Sequence, residues 1–254
     1  MNEKAPIPSF DQELRRETFA TVWSGEALGS VVIPGPQREP FAPAIEEAVQ
    51  RVRAHARPQA LWRRGALSWR AGRLTVERAP GEEISLETRG MPEAFRGRDA
   101  AIFLALTLGP LEDVGRDGAH EEDLLGQYVL SRVATWLLEH IRHEAWERVR
   151  TALKVRGEGL GSSVAPGEED TWPLEGQRAL ASLLDLESMG VVLNERNVLD
   201  PLLSCTAAAA VVPLNEEICC YDGEAGSGCW RCALGAHCVW RSVGSPEGIQ
   251  GVRG

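Results

Sequence analysis

Long apolar runs are missing from this chain: no stretch approaches the roughly 18 residues of a membrane-spanning helix. The best one, residues 206–214, is short and rich in alanine. The opening MNEKAPIPSFDQELRRE is polar and charged and has no apolar core, so a secretory signal is not expected. Lysine is nearly absent. Lys4 and Lys154 stand alone, and the remaining positive charge is arginine. The net charge of −10 leaves no cationic excess. That counts against a nucleic-acid partner, whose binding draws its affinity from neutralised phosphates. No internal repeat and no low-complexity tract is found. By elimination the expectation is a cytoplasmic chain with neither a membrane nor a nucleic acid as partner, and 254 residues suffice to bury a core.

Cysteine is scarce until the end and then crowded. Cys205 is the one member outside a glycine-rich stretch holding Cys219, Cys220, Cys229, Cys232 and Cys238. The segment GEAGSGCWRCALGAHC has too little apolar matter to fold unaided, so a cross-link or a metal must fix it. In a reducing compartment clustered cysteines are more often metal ligands than disulfides. Cys229-x-x-Cys232 puts two thiolates on one tight turn, and Cys238 with either Cys219 or Cys220 completes four. Adjacent cysteines point apart, so one of that pair suffices. Four thiolates suit tetrahedral zinc or an iron–sulfur cluster. Trp230 and Val239 could shield a cluster from water, which tilts the choice toward iron–sulfur. Cys205, between Ser204 and Thr206 ahead of an alanine run, reads as a small buried residue.

Periodicity supplies the elements. Residues 42–56 set Ile45, Val49, Val52 and Ala56 on one helical face. Residues 60–87 alternate in short runs around Gly65, Gly72 and Gly81, as strands of a small meander do. The unbroken apolar run 99–109, closed by Gly109-Pro110, predicts a buried central strand. A long helix follows over about 122–153, striped by Leu125, Val129, Val133, Trp136, Leu137, Ile141 and Ala145. Residues 157–170 read as a loop, and Gly157-x-Gly159-x-Gly161 as flexible rather than as an anion-binding nest. Pro173 opens a helix over 174–184 that ends near Gly190. Strands are expected at 191–193 and 206–212. His140 and His143 share a helical face at a spacing that is not the metalloprotease one, so a solvated face is expected. No Ser-His-Asp set can be picked out, so no catalytic residue is named.

From about Ala101 onward the chain resembles the activation domain of vitamin B12-dependent methionine synthase, in its stand-alone form. The residues that carry the likeness are ALTLGPLEDVGR with the long helix after it, then APGEEDTWPLEGQRALASLL, then MGVVLNERNVLDPLLSC, then the C-x-x-C…C-x-x-R tail. Four blocks agree in order and spacing. The resemblance implies an α+β fold, a curved antiparallel sheet flanked by long helices. It divides the chain into a domain over 1–214, including the helix and strands of about 40–100, and a cysteine-rich metal-binding tail over 215–254. It implies docking on a cobalamin-binding (corrinoid) methyltransferase for reductive reactivation, with cobalamin reached only through that partner and a ferredoxin or flavodoxin as electron donor. One-electron reduction of cob(II)alamin is uphill, and methylation of the small cob(I) population draws it forward.

By the same resemblance Glu139, Pro166, Gly167, Glu195 and Ser204 match cofactor-binding positions for S-adenosylmethionine. Two departures fall among them. The family carries arginine four residues before the glycine of PG and tyrosine just after it; this chain has Ser163 and Glu168. The aromatic expected after Ser204 is also absent, since Ala207, Ala208 and Ala209 follow Cys205 and Thr206. Arginine offers a fork to a carboxylate, which serine and glutamate cannot imitate. These changes count against S-adenosylmethionine. Three functions follow: a reactivation partner working through a cysteine-ligated metal centre, a corrinoid-protein docking module with structural zinc, or an S-adenosylmethionine-binding methyl donor.

Overall fold

The computed structural model describes residues 14–19, 40–111, 124–168 and 170–217. In chain order these form β1 (Arg15–Thr18), α1 (Ala42–His55), β2 (Gln59–Arg70), β3 (Arg73–Ala79), β4 (Glu82–Ser85) and β5 (Ala100–Thr107). After them come α2 (Leu124–Lys154), β6 (Glu158–Val164), α3 (Gln177–Leu184), β7 (Val192–Leu193), β8 (Leu199–Asp200) and β9 (Ser204–Pro213). Seven strands make one antiparallel sheet in the order β4-β3-β2-β5-β9-β6. β1 and β3 share one edge of β2, pairing with its two halves, while β5 takes the other edge. The class is α+β, as the resemblance implies.

The apolar run that becomes β5 is buried along all eight residues. Antiparallel strands usually face water on one side, but this one is covered twice. Ile102, Leu104 and Leu106 meet Val49 and Val52 of α1 and Val133, Leu137 and Ile141 of α2. Ala101, Phe103 and Ala105 meet Leu180, Leu183 and Leu184 of α3. Helix α1 needs no cap to find its place: the predicted stripe Ile45, Val49, Val52 and Ala56 is buried throughout. In α2 the stripe holds from Val129 onward, whereas Leu124 and Leu125 stay exposed. The second face is locked by Trp172, wholly buried, whose Nε1 donates to the Leu86 carbonyl at 3.0 Å. Phe95 meets it edge-on at 5.6 Å between ring centroids. A Cβ on Gly176 would collide with that indole, so close approach explains the glycine.

Two expectations change, and one strand carries no sequence signal. Residues 158–164, expected as loop, are β6, paired with β9 through Glu158↔Pro213 and Ser163↔Ala209 with a register shift between Leu160 and Ser163. Its glycines hid the strand signal and serve contact instead: a Cβ on Gly159 would lie 2.7 Å from the Glu217 Cβ. Residues 174–184 divide into a 3-10 turn (Leu174–Gly176) and the shorter α3, with Pro173 capping the turn. Strand β1 carries no apolar alternation and owes its place to partners. Glu17 accepts from Arg148 at 2.8 Å, and Arg16 donates to the Ser188 carbonyl at 2.9 Å.

β9 runs between two differently built ends. At the far end, the 3-10 turn Leu214–Glu216 and Glu217 are held by Arg98–Glu216 at 2.9 Å and Arg150–Glu217 at 3.4 Å. The near end, at Ser204, is where polar and charged side chains gather.

Candidate functional site

Two strands set the base of that gathering. Thr107 closes β5 and faces Ser204, the first residue of β9. The Ser204 hydroxyl donates to Thr107 Oγ1 at 2.8 Å, and the Gly109 N–H donates to the same oxygen at 3.0 Å. Two residues along, Thr206 donates its hydroxyl to Gln177 Oε1 of α3 at 2.6 Å. Thr107, Thr206 and Gln177 are all buried, so these bonds satisfy groups that would otherwise cost stability.

Strand alternation sends Cys205 to the opposite face, toward α2. There it packs against the α1–α2 core, half-buried by surface area, with protein closely surrounding its sulfur. Desolvation pushes the thiol up to about 12; Arg142 pulls against that rise, and Glu139 and Glu168 add to it. Those charges place the long helix and the turn after β6 in the same electrostatic neighbourhood. On α2, Arg142 gives both Nε (2.9 Å) and Nη2 (2.6 Å) to one Glu139 oxygen, Oε2. The two side chains are about a quarter exposed, so the pair is worth more than a surface bridge. After β6 the chain turns over residues 165–168. The Glu168 N–H donates to the Ala165 carbonyl at 3.1 Å, and Gly167, at φ +91, donates to the Trp172 carbonyl at 2.7 Å.

Glu139 and the turn after β6, which holds Pro166 and Gly167, thus share the Cys205 neighbourhood, while Ser204 points to the opposite face of β9. Glu195 lies elsewhere, exposed in the turn between β7 and β8. Arg142 was not singled out from sequence, although its i,i+3 spacing from Glu139 is a readable ion-pair signal. Thr107 and Gln177 gave no signal at all. Cys219, Cys220, Cys229, Cys232 and Cys238 lie outside the described residues. Among the described residues, no group of three or more His, Cys, Asp and Glu is placed to hold a metal. His140 stacks on Trp136 at 5.2 Å with planes 7° apart and is exposed, whereas His143 is half-buried with its Nδ1 covered, so the solvated face expected of both holds for His140 alone.

A cleft of about 440 Å³ lies on the other face of the sheet, between Arg78 of β3 and the end of α3 at Asp185. It is remote from the Cys205 neighbourhood, which belongs to the α1–α2 side. Hydrogen-bond geometry and charge, rather than hollow volume, make the end of β9 the candidate site.

Neither a known family model nor a curated protein sequence matches the chain. Among solved structures, the crystal structure of the MetH reactivation domain bound to AdoHcy is similar, with a TM-score of 0.59 and 13% identity. The match covers 80% of this chain and 79% of that one. At such low identity the likeness establishes a shared fold.

Proposed function

We propose that this protein is a reactivation partner of a cobalamin-dependent methyltransferase of the methionine synthase kind. The observation that carries the reading is the shared fold over four-fifths of both chains. The sequence blocks that resemble the activation domain support it. In this reading the sheet and its helices dock on the corrinoid protein, and the cysteine segment after Glu217 carries a metal centre. An iron–sulfur centre there would pass one electron at a time from a ferredoxin or flavodoxin to the partner's cobalt. Reduction is where such a centre helps, because the two-electron chemistry of methyl transfer belongs to the corrinoid itself.

One observation favours a second reading, in which zinc merely fixes the segment. Residues 214–217 are already pinned by Arg98 and Arg150, so a zinc knot begun there would stand on a rigid base. Two measurements on the full chain, purified without oxygen, decide the matter. Iron with labile sulfide and a broad visible band bleached by dithionite supports electron delivery; one zinc and a colourless protein supports docking alone. Size-exclusion chromatography with a cobalamin-loaded methionine synthase module tests the shared premise. Co-elution is expected, and two separate peaks at every oxidation state of the cobalt would sink both readings.

A further inference from the structure

We infer that Ser163 and Glu168 exclude S-adenosylmethionine from the end of β9, so that this chain brings no methyl donor of its own. The inference deepens the proposal above and rests on it. S-adenosylmethionine carries a sulfonium, an ammonium and a carboxylate, and the carboxylate is the group that wants a guanidinium fork. Ser163 stands at the position where the resembling family carries that arginine. It pairs with Ala209 across the β6–β9 ladder. Alternation therefore puts it on the α2 face of the sheet, along with Ala207 and Cys205. A serine hydroxyl there is one short donor where a long, planar, charged fork would reach outward.

The guanidinium beside Cys205 does not offer its Nε–Nη2 edge freely. Arg142 directs both atoms to Glu139, and a ligand carboxylate could claim that edge only by leaving Glu139 half-buried and uncompensated. Position 168 then works in the same direction. The turn that fixes it is tight, with Gly167 held to Trp172 and Glu168 to Ala165, so the side chain starts from a defined point. Where the family has an aromatic ring, this turn presents a carboxylate. Glu168 is exposed, so a second carboxylate approaching that point meets like charge that solvent screens in part. The charge of Glu168 is felt as far as Cys205. The lost fork and the added negative charge both disfavour the same group of the same ligand.

Calorimetric titration of the full-length protein with S-adenosylmethionine tests this directly. Wild type is expected to show no saturable binding tighter than about 1 mM, and Ser163→Arg/Glu168→Tyr to gain at least about tenfold. Glu168→Gln alone should move the same way by less. Circular dichroism confirms that each variant is folded before its titration is read. Micromolar binding by wild type would overturn the inference. A folded double variant that binds no better than wild type would overturn the assignment to these two positions. Docking on the cobalamin module is measured without added S-adenosylmethionine, so failure of that premise shows separately.

Discussion

At the scale of single residues, Cys205 makes the sharpest statement. Its thiol, ordinarily near 9.0, is held at about 12 chiefly by desolvation. Below pH 9 both folded and unfolded chains keep the proton, and nothing changes. Between 9.0 and about 12 the unfolded chain releases a proton that the folded one retains, so stability falls as pH rises through that window. Cys205→Ala should flatten this part of the alkaline loss, read as the pH dependence of urea unfolding for both proteins. An identical slope in the two would mean that the thiol is not desolvated. Gly176 makes a steric claim: Gly176→Ala drives a methyl into the Trp172 indole and should cost about 1–3 kcal/mol by the same assay. Neither effect was legible in the sequence. Cys205 read correctly as small and packed, but its charged neighbours come from α2 and the turn after β6, which no local window joins. Gly176 looked like any helix-start glycine, since the tryptophan it accommodates contacts it through the fold of the turn.

Elements were legible in proportion to the apolar signal they carry. α1, α2 and β5 each bury a stripe or run that spacing alone reveals, and their bounds agree with expectation within a few residues. β6 failed that test because Gly159 and Gly161 replace the side chains that periodicity reads. Its strand character comes from β9, whose small alanines let it pair closely. β1, with the sequence RRET, is held by ion pairs rather than by an apolar face. The same logic predicts how β6 and the last described turn depend on each other. Glu217 approaches Gly159, forms an ion pair with Arg150 at 3.4 Å and is mostly buried. Arg150 is buried as well and also pairs with Glu147. Glu217→Ala removes one of two carboxylates from a buried guanidinium and should destabilise the protein by about 1–3 kcal/mol. Limited proteolysis should then cut sooner near Leu214, upstream of the cysteines. Unchanged cleavage kinetics would show that the turn is held by its backbone alone.

For the whole molecule, the question is whether the cysteine segment is part of the fold or an attachment to it. Among the described residues, the two apolar clusters on either side of the sheet reach no later than Val212. Each face of β5 is covered by helices that precede the segment, and the Leu214–Glu216 turn is fixed by side chains of α2 and of the residues before β5. The described body thus has two apolar clusters of its own, and the expectation is that a metal held by the cysteines stabilises mainly their own segment. Cys232→Ala should abolish stoichiometric metal binding and open the segment to protease. Cooperative unfolding of the body should shift by less than about 1 kcal/mol, as for changes outside a core. Metal analysis and urea unfolding of the same preparation give both readouts. Full metal content in the variant would exclude Cys232 as a ligand. A body that unfolds with the loss of metal would instead make the segment a structural keystone, and electron delivery to a partner would then have to proceed through a centre whose removal destroys the docking surface.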